Sequence, residues 1–138
     1  NCTIAPNTTV VKILFENCNN CSLTLDKCAV STATLEIWRS NNCILVIDTF
    51  IGTLQADLCT QTVIEYATAS HLGSLVQAGM RQLQIKFSDS SLPDFNTGLD
   101  ELGATHGVVK EDTDQFITRV VDGSLLTEPI IRLLNDFP

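Results

Sequence analysis

A chain of 138 residues and 15.1 kDa is long enough to bury a sizeable core as one domain, residues 1–138, without disulfide or metal staples. Its formal charge of −8 argues against nucleic acid as a partner, because that affinity comes from Lys and Arg neutralising phosphates. No apolar run approaches the roughly 20 residues needed to cross a bilayer, so no membrane association is expected either.

The charge is unevenly placed. Residues 1–87 carry a net −1 and residues 88–138 a net −7, with Asp100, Glu101, Glu111, Asp112 and Asp114 among the acids of the second part. The opening Asn1-Cys2-Thr3-Ile4-Ala5-Pro6 has neither a basic start nor an apolar signal core.

In chain order, the first strong signal is a repeat. Asn19-Asn20-Cys21-Ser22-Leu23-Thr24-Leu25 returns 22 positions later as Asn41-Asn42-Cys43-Ile44-Leu45-Val46-Ile47. Matching turn-plus-strand units at a fixed period imply a chain that winds in equal coils, each burying its apolar face on the next. Alternation of apolar and polar residues marks the strands, since a half-buried strand sends successive side chains to opposite faces. Leu35-Glu36-Ile37-Trp38-Arg39, Leu54-Gln55-Ala56-Asp57-Leu58 and Arg81-Gln82-Leu83-Gln84-Ile85-Lys86-Phe87 all alternate, and short Asn/Asp/Ser/Gly-rich spacers lie between such runs. The pattern predicts strands near 10–16, 21–25, 33–38, 43–47, 53–58, 62–67, 73–77 and 81–87. Two strands per coil then give an all-β, right-handed parallel β-helix over residues 10–87, free of helix.

All six cysteines, Cys2, Cys18, Cys21, Cys28, Cys43 and Cys59, fall in the first half. In a secreted protein they would form disulfides, and the sequons at Asn1, Asn7 and Asn20 would carry glycans. The alternative is small, buried, reduced side chains. Cys21 and Cys43 occupy equivalent positions of the repeat, and stacked coils favour identical small residues there. Cys18-Asn19-Asn20-Cys21 has the spacing of a zinc or redox pair, but a closed zinc site needs four ligands, and there is neither a second such pair nor a histidine nearer than His71 and His106. No metal site and no cofactor is expected.

Catalytic patterns are scarce. There is no glycine-rich phosphate loop, no GxSxG elbow and no HExxH. Asp112-Thr113-Asp114 starts like a calcium loop, yet Gln115-Phe116-Ile117 follows where the glycine would come. His71 is read as a turn histidine. The chain is expected to bind and not to catalyse.

Beyond residue 87 an acidic loop is expected over about 88–114, opened by Ser88-Asp89-Ser90-Ser91-Leu92-Pro93. Alternation then resumes in Gln115-Phe116-Ile117-Thr118-Arg119-Val120-Val121 and Ser124-Leu125-Leu126-Thr127-Glu128. Between them Asp122-Gly123 suits a two-residue hairpin turn, so a hairpin is predicted over about 115–128, with a tail over 129–138. A lone hairpin has open edges and must dock, on its own coils or on a second copy.

Leu35-Glu36-Ile37-Trp38-Arg39-Ser40-Asn41-Asn42-Cys43-Ile44-Leu45-Val46 and the 115–128 hairpin, preceded by Asp94-Phe95-Asn96, resemble the C-terminal β-helical domain of cyclase-associated proteins over about residues 10–128. The resemblance implies a cytoplasmic, cytoskeleton-associated module that binds monomeric actin, ADP-bound actin in preference, and promotes exchange of ADP for ATP. It also implies a homodimer made by exchanging the terminal hairpin, which puts Phe116, Thr118, Val120, Leu125 and Thr127 at the dimer contact. The related tubulin-binding cofactor C domain, which acts on small GTPases through an arginine motif, is the alternative; no such motif surrounds Arg39 or Arg81. A pure dimerisation module is a third reading. If Leu35 and Ile37 face inward, Glu36 and Trp38 face out, and Gln82, Gln84 and Lys86 project from a later strand. These five are the candidate partner-binding residues, with Trp38 the anchor.

Overall fold

The computed structural model describes residues 1–111 and 113–131. Asp112 of the calcium-like run and residues 132–138 of the expected tail lie outside the described residues.

The chain winds as a parallel β-solenoid. The first coil consists of β1 (Cys2–Ile4), β2 (Thr9–Val10) and β3 (Ile13–Glu16), and the second of β4 (Ser22–Asp26), β5 (Ala29–Val30) and β6 (Thr34–Trp38). Two longer strands make up each later coil, β7 (Asn41–Asp48) with β8 (Ile51–Asp57), then β9 (Thr60–Tyr66) with β10 (Leu72–Ala78), and β11 (Arg81–Phe87) begins a fifth. One sheet stacks β1, β4, β7, β9 and β11; the other stacks β3, β6, β8 and β10. The expected strands all appear, and within 10–87 the only helical element is a 3-10 turn at Ala69–His71.

The coils are not equal. Leu14 faces Glu36, Glu36 faces Gln55 and Gln55 faces Val76, spacings of 22, 19 and 21 residues. The short β2–β5 pair forms a third side in the first two coils and is missing from the third, where Thr49 and Phe50 alone join β7 to β8. Alternation does not detect a two-residue strand.

What does repeat is the corner that leads from one sheet into the other. Each corner holds two residues of positive φ, three positions apart: Asn17 and Asn20, Arg39 and Asn42, Leu58 and Gln61, Gly79 and Gln82. Asn accepts the left-handed region readily, which gives the Asn-Asn of the sequence repeat its role. Leu58 and Gln61 accept it at some strain. Stacked backbone bonds hold the corners together: Asn41 N donates to Cys18 O at 2.9 Å, Thr60 N to Ser40 O at 3.0 Å and Arg81 N to Cys59 O at 2.9 Å.

Inside, identical registers make ladders. Leu23, Leu45, Ile64 and Ile85 lie in one row, and Leu35, Leu54 and Leu75 in another. All are buried, as are Leu83 and Phe87.

After the coils the topology turns antiparallel. β12 (Phe95–Thr97) pairs with β11 and closes the first sheet. α1 (Leu99–His106) follows, where a loop was expected; Gly98 and Gly107 bound it, Asp100 and Glu101 sit in its first turn, and only Leu102 is buried, so its apolar signal is too sparse for periodicity to register. The hairpin of β13 (Phe116–Val121) and β14 (Ser124–Pro129) is present. It docks in cis: β13 runs antiparallel to β10 of the same chain, with Leu75 facing Thr118 and Gln77 facing Phe116. Exchange between chains, as the resemblance implies, would set the same strand on β10 of a second copy. β10 is the last coil strand of its sheet and offers an unpaired edge, and the segment containing α1 is long enough to carry the hairpin back to it. Among the described residues no helix is long and apolar enough to cross a membrane.

Candidate partner-binding face

Leu35 and Ile37 are fully buried, so β6 turns Glu36 and Trp38 to the outer face. Register supplies their neighbours. Leu14 and Gln55 flank Glu36, while Glu16 and Asp57 flank Trp38. Arg39, the residue of positive φ that follows, holds its guanidinium carbon 4.5 Å from the Trp38 ring centroid, a cation–π contact. Lys12 Nζ lies 3.3 Å from Glu36 Oε1. Gln55 Nε2 donates to both Asp57 oxygens, at 3.1 and 3.2 Å.

Trp38 is half-buried. A shallow depression beside it is bordered by Asp57, Leu58, Ala78, Glu111 and Thr113. Burial raises the Asp57 carboxyl above its ordinary value of 3.8; the Gln55 bonds oppose this and the charge of Glu36 adds to it. Glu111 is engaged by Arg81, Nη2 to Oε2 at 2.9 Å. The face therefore presents a half-buried aromatic under the Arg39 guanidinium, with Glu36 and Glu111 paired to Lys12 and Arg81 and Asp57 bonded to Gln55 around it.

The remaining candidates lie elsewhere. Gln82, Gln84 and Lys86 belong to β11 in the other sheet, so the five expected residues do not form one surface. Gln84 projects between Val63 and Asn96, and Lys86 stands opposite Glu65. Gln82 joins Asn42, Gln61 and Glu101 along a polar groove. At its lower end Asn42 Nδ2 donates to Asn20 Oδ1 at 2.7 Å.

The expected dimer residues are largely engaged within the chain. Phe116 and Thr118 are buried against β10, the Phe116 ring lies 5.1 Å from that of His106, and Thr118 Oγ1 is 2.7 Å from Thr127 Oγ1. Leu125 packs against the core from outside, while Val120 remains 37% exposed.

The six cysteines are free thiols. Cys28, Cys43 and Cys59 are buried, Cys18 and Cys21 are partly so, and Cys2 is exposed. Cys21 and Cys43 do share a row, next to Thr62. Burial raises the Cys18 thiol, and the neighbouring Cys21 and Cys43 raise it further. His71 Nε2 lies 3.2 Å from Asp48 Oδ1, which ties the 3-10 turn to the end of β7. Among the described residues no group of three or more His, Cys, Asp or Glu side chains is placed to hold a metal.

Sequence reasoning passed over Asp57 and Arg39 as parts of this face. Alternation marked Asp57, two positions beyond Gln55 on the outer side of β8. Nothing in the local sequence marked Arg39 as a corner residue, because Arg has no turn preference. Comparison with protein-family models, with curated proteins and with solved structures finds no match for the chain.

Proposed function

We propose that the chain is an actin-monomer-binding module that engages ADP-actin through the outer face of β6 and β8 and favours replacement of ADP by ATP, acting in the cytoplasm beside the cytoskeleton. The observation that carries this reading is Trp38, a large aromatic held half-exposed on a sheet face by Arg39 and flanked by Glu16, Glu36 and Asp57. Parallel coils followed by a terminal hairpin are in keeping with the resemblance that suggested actin. Such a module works as a binder with a preference. It speeds release only if it holds the open, exchange-competent state of actin more tightly than the closed one.

The test is release of a fluorescent ADP analogue from monomeric actin. Added module should accelerate release, and Trp38→Ala should weaken the effect by more than about 1 kcal/mol in apparent affinity, as for an anchor residue. Unchanged release with saturating module overturns the actin reading. A small GTPase whose hydrolysis rises with the module and falls with Arg39→Ala would support the cofactor C alternative in its place.

A further inference from the structure

Along the corner between the two sheets, Asn20, Asn42, Gln61 and Gln82 stack one per coil, about 4.8 Å apart. All four have positive φ, from 49° to 60°. Asn enters that region readily and Gln does so at a cost, yet the two later coils carry the longer side chain. An amide is kept at every level, and reach is added at the levels nearest α1.

Two hollows flank this column. Thr60, Arg81, Leu99 and Asp100 line one of about 430 Å³, while Gln84, Asn96, Thr97 and Glu101 line another of about 460 Å³. Gln61 and Gln82 border both and join them into one groove of a size usual for small-ligand sites. The side-chain amides of Gln61, Gln82, Gln84 and Asn96 have no hydrogen-bond partner among the described residues. Each offers donor hydrogens and an acceptor oxygen side by side.

The surroundings narrow the ligand class. Arg81, the cation of the groove, is held by Glu111 at 2.9 Å, and Asp100 and Glu101 add negative charge, so an anion is disfavoured. A metal ion finds no group of three ligands among the described residues. A peptide strand finds no backbone edge to extend, because β7, β9 and β11 are each paired on both sides.

We propose that the groove binds a neutral oligosaccharide laid along the column of Asn42, Gln61 and Gln82, with hydroxyls of the sugar rings entering the hollow on either side. A hydroxyl both donates and accepts, so two neighbouring hydroxyls can meet the two halves of one glutamine amide together, and Asp100 and Glu101 accept from others. The coil spacing of about 4.8 Å is close to the length of one pyranose residue, which lets successive sugars meet successive coils. The groove belongs to the sheet that does not carry Trp38, so this site stands independently of the actin reading.

Calorimetric titration of the full chain with neutral hexasaccharides of the cellulose, mannan and chitin series tests the proposal. At least one should bind at millimolar concentration or below, with the same affinity at low and high salt. Gln61→Ala/Gln82→Ala should weaken that binding roughly tenfold or more, the order of a lost hydrogen bond. Gln61→Asn/Gln82→Asn eases the backbone and shortens the reach, so it should raise the thermal midpoint and still weaken binding, a combination that a purely structural role for the glutamines does not give. Trp38→Ala should leave binding unchanged. Silence from all three series overturns the proposal, as does wild-type affinity in both double variants or a loss that follows Trp38→Ala in their place. Binding of sulfated but not neutral oligosaccharides, lost in high salt, overturns the neutral-ligand assignment.

Discussion

Gln77 Nε2 donates to Thr97 Oγ1 at 3.2 Å inside the protein, and this one bond ties β10, the last coil strand of one sheet, to β12, the strand that closes the other. Gln77 is an intruder in its row. Phe15, Ile37 and Ala56 precede it in register, and it is fully buried with no partner for its Oε1 among the described residues.

Removing the Thr97 hydroxyl strands a buried amide, so Thr97→Val is expected to cost about 1–3 kcal/mol, while Gln77→Leu added to it should recover most of that loss. Denaturant unfolding of the three variants measures both effects. Equal stability of Thr97→Val and wild type would mean that the bond does not hold the sheets.

Tyr66 offers the opposite case. Its ring is fully buried, stacked 6.0 Å from that of Phe87, and its hydroxyl has no partner among the described residues and is pushed strongly toward the neutral form by burial. Tyr66→Phe should therefore stabilise by about 1 kcal/mol, the order of an unmade hydrogen bond. A lower thermal midpoint would count against this.

Two glycines should respond with opposite signs. A Cβ on Gly73 would stand 2.4 Å from Gly52 O, where neighbouring coils touch backbone to backbone, so Gly73→Ala should cost about 1–3 kcal/mol. Gly103 lies inside α1 with none of the described residues near a new Cβ, and Gly103→Ala should gain about 0.5–1 kcal/mol. Thermal unfolding of the pair decides; matching signs would refute the packing argument.

Asp57 sets a pH dependence. Burial lifts its carboxyl above 3.8 in the folded state, so the folded chain binds that proton more tightly than the unfolded chain does. The ionised group thus opposes folding at neutral pH, and the penalty fades as pH falls through the raised value toward 3.8. Asp57→Asn should be more stable than wild type at pH 7 and lose that advantage under acid. Stability curves that run parallel over the whole range would rule this out.

Alternation in 35–39, 54–58 and 81–87 was enough to read the coils, because every second residue of those strands is buried and the pattern is local. The Asn-Asn repeat marked the corners for the same reason, since Asn20 and Asn42 adopt positive φ. The docking of β13 on β10 was not legible: it joins Leu75 to Thr118, and the sequence alone gives a hairpin no choice between its own edge and a neighbour's. At the site, alternation placed Glu36 and Trp38 outward, yet it could not reveal that Gln82, Gln84 and Lys86 would face away from them in the other sheet.

The unequal coils give the molecule one rigid seam and one forgiving flank. At the seam, paired left-handed residues and stacked amides leave each corner a single length. On the opposite flank neighbouring coils bridge the sheets with residues 27–33, 49–50 and 67–71, three different lengths in adjacent layers. Added chain between Asp48 and Ile51 would enter a position where the layers above and below already carry longer connections. Peptide grafted at Thr49–Phe50 should be displayed without disturbing the stack, while even a one-residue insertion at Ser40–Asn41 would throw every later layer out of register.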